Sequence, residues 1–189
     1  MISGFDHFSH LAPFYDRAIP FKAIESLVAN GQLIGDELVL DAGGGTGRVA
    51  EALSPYVRRV VIADLSKGML VQADRKGLDT LLSPVESLPF QNGIFDRVVM
   101  IDALHHVLDH RKAADEMWRT LAPGGIIIIQ EPDIRRSSVK VVAVVEKITL
   151  MRSHFLTPIE IKSLFRDKAG EVSQIDEGFS TWILVKKPL

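Results

Sequence analysis

The 189-residue sequence has no cysteine, which excludes disulfides and thiolate metal sites and fits a reducing, cytoplasmic setting. It lacks an excess of either charge: 22 Lys and Arg stand against 24 Asp and Glu, a formal net charge of −2. The basic footprint of a nucleic-acid binder is therefore missing. No apolar run approaches the roughly 20 residues that cross a bilayer. The opening MISGFDHFSH has neither the charged nor the apolar region of a secretory leader. No repeat, low-complexity run or linker interrupts the chain, and its length suits a single domain able to bury a sizeable core.

What the chain does contain is an alternation of strand and helix patterns, which predicts an α/β fold with a largely parallel sheet. Strands are predicted at 37–41, 59–64, 79–82, 95–101, 125–131, 171–177 and 180–186, with helices between most of them. The last two lie too close together around Gly178 for a crossover helix, so they are expected to pair as an antiparallel hairpin.

The densest chemical signal is LVLDAGGGTG at 38–47, where apolar strand formers end in an acid and then in Gly43, Gly44, Gly45 and Gly47. Glycines let a ligand lie against the main chain, and a strand feeding such a loop places that ligand at the carboxyl end of a parallel strand. The dinucleotide fingerprint G-x-G-x-x-G fails by one residue, because counting from Gly43 the third glycine would fall on Arg48. A P-loop fails too, since no Gly-Lys-Ser/Thr follows.

The D-x-G-x-G-T-G of Asp41 to Gly47 resembles motif I of the class I S-adenosylmethionine-dependent methyltransferases. VVIADLS ends the next strand in Asp64, 23 positions after Asp41, as members of that family do. Glu86 to Asp109 and Leu121 to Pro132 are similar to the family's stretches around its fourth and fifth strands. The resemblance runs from about Phe8 to the C-terminus and is densest between Val39 and Pro132. It implies a Rossmann-like seven-stranded, mostly parallel sheet with a C-terminal antiparallel hairpin and helices on both faces. It also implies a division into N-terminal cap helices (1–34), cofactor-binding core (35–132), substrate lid helices (133–168) and terminal hairpin (169–189). The segment FDHFSHLAPFYDRAIPFKAIESLV looks like the cap helix of the ubiquinone/menaquinone-biosynthesis C-methyltransferases, especially at Ala12, Pro13, Tyr15 and Asp16.

The resemblance implies S-adenosylmethionine as cofactor, with S-adenosylhomocysteine as product. Asp41 would organise the glycine loop near the methionine end, and Asp64 would accept both ribose hydroxyls. Leu65 and Met69 would flank the adenine, with Val85, Glu86 and Asp102 also lining the pocket. One departure stands out. Where the family commonly places an acid against the adenine amino group, this chain has Pro84, which offers neither a carboxylate nor an N–H.

After the fourth predicted strand comes IDALHHV, which lacks the Asn/Asp-Pro-Pro-Tyr sequence of family members that methylate exocyclic or amide nitrogens. His105 is the candidate base, because imidazole titrates near neutral pH, with Tyr15 as a second candidate catalytic residue. His106 reads as structural, while Asp16 and His154 read as structural or substrate-orienting. His106 and His110 are four residues apart but supply no H-E-x-x-H pattern, so no metal site is expected. The expected partner is a small-molecule methyl acceptor, a quinone-like or phenolic ring being the leading class; a homodimer is compatible with the sequence. Other acceptors methylated on oxygen or nitrogen, and a non-catalytic nucleoside-binding module, are the alternatives.

Overall fold

The computed structural model describes residues 21–133 and 154–189. Its seven strands are β1 (Leu38–Ala42), β2 (Arg59–Asp64), β3 (Asp79–Leu82), β4 (Phe95–Ile101), β5 (Leu121–Pro132), β6 (Glu171–Glu177) and β7 (Ser180–Lys186). They form one sheet in the order β3-β2-β1-β4-β5-β7-β6. β1 through β5 run parallel, while β7 is antiparallel to both β5 and β6. This is the Rossmann-like mixed sheet that the sequence predicts, terminal hairpin included.

The central strands are near-continuous apolar runs because both of their faces are covered, and alternate residues go to opposite sides. Val39, Val99, Ile126, Ile128 and Trp182 pack under α1 (Ile24–Gly31), α2 (Arg48–Leu53) and α3 (Lys67–Arg75). Leu40, Val98, Met100, Ile127, Ile129 and Ile183 pack on the other face against α4 (His110–Thr120) and α5 (Pro158–Ser163). Helix starts follow their local chemistry. Ser66 caps α3 by accepting the Met69 N–H, Asp109 caps α4 through Lys112, and Thr157 with Glu160 forms a reciprocal capping box before Pro158.

Strand β5 begins at Leu121, four residues earlier than the 125–131 expected. The Pro-Gly-Gly stretch reads as a turn, yet Leu121 still pairs with Phe95 before the register shifts. Gly124 takes a φ of +74°, and a Cβ on Gly125 would lie 2.8 Å from the Asp96 carbonyl oxygen, so glycine carries the chain through the irregularity. Residues 1–20 of the proposed cap, Tyr15 and Asp16 among them, and residues 134–153 of the proposed lid lie outside the described residues.

Candidate active site

The strand order reverses direction between β1 and β4, and it is there, beyond the carboxyl ends of the strands, that an open α/β sheet leaves a crevice. Asp41 and the glycine loop leave β1 at this point, Asp64 ends β2, and Asp102 follows β4. These candidate cofactor residues, scattered over 60 positions of sequence, are brought to one edge by the parallel register of Asp41 with Ile62 and with Val99.

The loop is built on backbone bonds: Gly43 N–H donates to the Ala63 carbonyl (2.7 Å) and Gly47 N–H to that of Gly44 (2.9 Å). Its outer turn is held by Asp64, whose Oδ2 accepts the Gly45 N–H at 2.9 Å while Oδ1 accepts the Ser66 N–H at 2.7 Å. Asp64 is thus not the helix cap, which is Ser66. Each carboxylate oxygen has two lone pairs, and these two bonds, one to each oxygen, fix the orientation of the group.

The glycines serve two different needs. A Cβ at Gly47 (φ +77°) would meet Leu78 at 2.5 Å, whereas at Gly45 (φ +55°) the nearest atom is Asp64 Oδ2 at 3.9 Å. Gly47 therefore allows loop and helix to pack on the sheet, and Gly45 keeps the ligand side of the loop open. Gly47→Ala is expected to lower unfolding free energy by about 2 kcal/mol through overpacking and left-handed strain. Gly45→Ala carries the left-handed strain without the overpacking, so it should lose less stability than Gly47→Ala but weaken S-adenosylhomocysteine binding several-fold. Thermal denaturation and calorimetry on the two variants distinguish these effects, and equal losses of stability would contradict the assignment.

Asp41 is 1% exposed, and its Oδ2 has no hydrogen-bond partner. Burial raises its pKa from 3.8 to about 7; nearby Asp64 adds to the rise, while Arg48 and the Ala50 N–H oppose it. Arg48, the first residue of α2, reaches across to Asp102 with an Nη2–Oδ2 distance of 2.7 Å. Asp102 has a φ of +52°, a conformation that strains a residue with a Cβ, and its N–H donates to the Gln130 carbonyl. Burial still raises its pKa despite the guanidinium.

Of the residues expected to line the adenine pocket, Leu65 is 61% exposed, while Met69 and Val85 are buried. Ser83 Oγ donates to the Ser87 carbonyl at 3.0 Å, closing the turn that contains Pro84. Glu86 Oε1 accepts the Leu108 and Asp109 N–H groups at 3.1 and 3.4 Å, which directs this carboxylate to the loop before α4.

The turn after β4 rests on a group that sequence reasoning missed. Glu131, near the end of β5 and 3% exposed, accepts the Ala103 and Leu104 N–H groups on Oε1 at 3.0 and 2.7 Å. Its Oε2 lies 2.5 Å from His105 Nδ1. His105 is stacked on Phe155, with ring centroids 4.3 Å apart, and lies beside His106 at 4.0 Å; its carbonyl accepts the His154 N–H. Burial is the main cause of a His106 pKa lowered to about 3, to which any positive charge on neighbouring His105 adds, so that ring is neutral across the physiological range. Among the described residues no group of three or more His, Cys, Asp or Glu side chains is arranged to hold a metal ion. Arg48 was legible only as the residue after the last glycine, and Glu131 only as an acid interrupting an apolar strand.

A glycine loop, a strand-end acid and a buried post-β4 turn meet at this crevice, and residues 40–129 match the family model described as "Methyltransferase domain". The chain resembles the class I S-adenosylmethionine-dependent methyltransferases of the UbiE type. It is 38% identical over 104 residues to the ubiquinone/menaquinone biosynthesis C-methyltransferase UbiE of Coxiella burnetii, covering 49% of this chain and 42% of that protein. It is 36% identical over 103 residues to the demethylmenaquinone methyltransferase of Clavibacter sepedonicus, covering 52% of this chain and 42% of that protein. The matches therefore span less than half the length of these two relatives. A crystal structure of an S-adenosylmethionine-dependent methyltransferase from Thermotoga maritima shares the fold, with a TM-score of 0.78, 22% identity and coverage of 95% of this chain and 98% of that one.

Proposed function

We propose that the protein transfers a methyl group from S-adenosylmethionine to a small organic acceptor, with a carbon of a quinone-like or phenolic ring as the acceptor class. The observation that carries the cofactor assignment is the Asp64 carboxylate holding Gly45 and Ser66 at the mouth of the loop. The names of the two curated relatives support the ring-carbon reading.

The residues present fit the cofactor. The space over Gly45 admits a ligand against the backbone, Asp64 has acceptor capacity for the ribose, and Leu65 is placed to cover the base. At the methionine end, the orphaned Asp41 Oδ2 suits an ammonium group, and Arg48 suits a carboxylate. When bound, S-adenosylmethionine supplies an electrophilic methyl group on a sulfonium that departs as a neutral thioether. The chain's principal tasks are to hold the acceptor in line and to exclude water. His105, in the buried turn after β4, is the group assigned to take the proton that a phenolic hydroxyl or ring carbon gives up. Tyr15, the proposed cap and the lid complete the acceptor side in this reading, which places the enzyme in the cytoplasm.

Calorimetry with S-adenosylmethionine and S-adenosylhomocysteine tests the first half: saturable heat is expected, and no heat or thermal shift with either would sink the reading. Labelled methyl transfer to hydroxylated naphthalenes and phenols, beside amine acceptors, tests the second. Product on nitrogen alone overturns the ring-carbon assignment. A second reading, a non-catalytic cofactor-binding module, is motivated by Pro84 and would show binding without transfer to any acceptor.

A further inference from the structure

The geometry points to Glu131 as the residue that holds His105 in the tautomer required of a base, with the proton on Nδ1 and the lone pair on Nε2. The inference rests on the methyl-transfer reading above only for its catalytic consequence; the positioning itself follows from the contacts. A neutral imidazole has one donor and one acceptor nitrogen, and the bond made by one decides the state of the other. A carboxylate can only accept, so Nδ1 must donate across the 2.5 Å contact to Oε2. Ring rotation cannot interchange the two nitrogens readily, because Phe155 lies parallel to the imidazole at an angle of 10° and His106 packs against it at 4.0 Å.

Glu131 is itself held in place. Its other oxygen receives the Ala103 and Leu104 N–H groups, and β5 is paired on both edges, with Gln130 opposite Ile101 of β4 and Glu131 opposite Thr181 of β7. One carboxylate therefore shapes the turn that carries His105 and selects the protonation pattern of its ring. In the methyl-transfer reading, a proton taken up at Nε2 would form a cation that the carboxylate at Nδ1 stabilises.

Glu131→Gln separates the two duties. Its amide oxygen can replace Oε1 and keep both backbone bonds, while its NH2 faces Nδ1 as a donor and reverses the tautomer. Glu131→Ala would remove all three acceptor contacts and endanger the turn, so the glutamine variant is the discriminating one. The side-chain 15N resonances of His105 at neutral pH are the readout, recorded with 15N-histidine-labelled protein and assigned with His105→Gln. The wild-type ring is expected to carry its proton on Nδ1 and the Glu131→Gln ring on Nε2, with S-adenosylhomocysteine affinity unchanged within twofold. A wild-type ring protonated on Nε2 alone or on both nitrogens, or an unchanged tautomer in Glu131→Gln, overturns the inference. With the tautomer reversed, methyl transfer is expected to fall at least a hundredfold. A reversed tautomer with undiminished transfer confirms the positioning and overturns His105 as the base.

Discussion

Replacing Asp64 with alanine is expected to weaken S-adenosylhomocysteine binding at least tenfold, measured by calorimetry against the wild-type protein at the same pH and salt. Two effects add. The ribose loses a charged acceptor, and hydrogen bonds to a charged group contribute about 1.5–3 kcal/mol each. The Gly45 and Ser66 N–H groups also lose their partner, so the ligand side of the loop is no longer tied to the end of β2. Asp64→Asn retains an acceptor oxygen and should fall between the two. An unchanged affinity in the alanine variant would remove Asp64 from the cofactor site and leave it as a loop tether.

The second large effect concerns pH. In the unliganded protein the Asp41 pKa is raised to about 7 from 3.8, chiefly by burial, so between these values the folded state binds a proton that the unfolded state releases. The resulting stabilisation is complete below the unfolded pKa and is lost as pH rises through about 7, a change on the order of a few kcal/mol. A ligand ammonium beside Asp41 reverses the preference by favouring the carboxylate. Affinity for S-adenosylhomocysteine should therefore rise by roughly eightfold from pH 6 to 7.5, as the ionised fraction of a group titrating near 7 grows. Below pH 7, close to one proton should be released on binding, seen as heat that varies with buffer ionisation enthalpy. Asp41→Asn should bind with little dependence on pH over this range. An Asn variant that keeps the wild-type slope assigns the titration to another group.

The strands were legible because their signal is local. β2, β3, β4, β6 and β7 lie at the expected residues, and β1 is displaced by only one, since apolar runs bounded by Asp, Gly and Asn carry their own ends. The glycine loop was legible for the same reason: its spacing is contiguous in sequence. Glu131 was not, because its role exists only in register. Nothing in IIIIQEP says that the acid will lie beside the turn after β4; the pairing of Ile101 with Gln130 puts it there. Arg48 escaped notice similarly, since Asp102, its partner, is 54 residues away. Glu86, expected to line the pocket, also accepts the Leu108 and Asp109 N–H groups, contacts over 22 and 23 residues that sequence proximity does not show.

The position of β5 between β4 and the antiparallel β7 divides the working edge of the sheet into two territories. In the proposed function β1 and β2 bear the grip on the cofactor, while the carboxylate behind His105 stands on a strand braced by the terminal hairpin. Thr181, buried opposite Glu131, belongs to that brace, as does Trp182, whose indole N–H donates to Glu177. Alterations to the hairpin would consequently retune acceptor chemistry while sparing cofactor affinity. In the proposed function, the choice of acceptor then depends on strands at one end of the sheet and cofactor affinity on strands at the other.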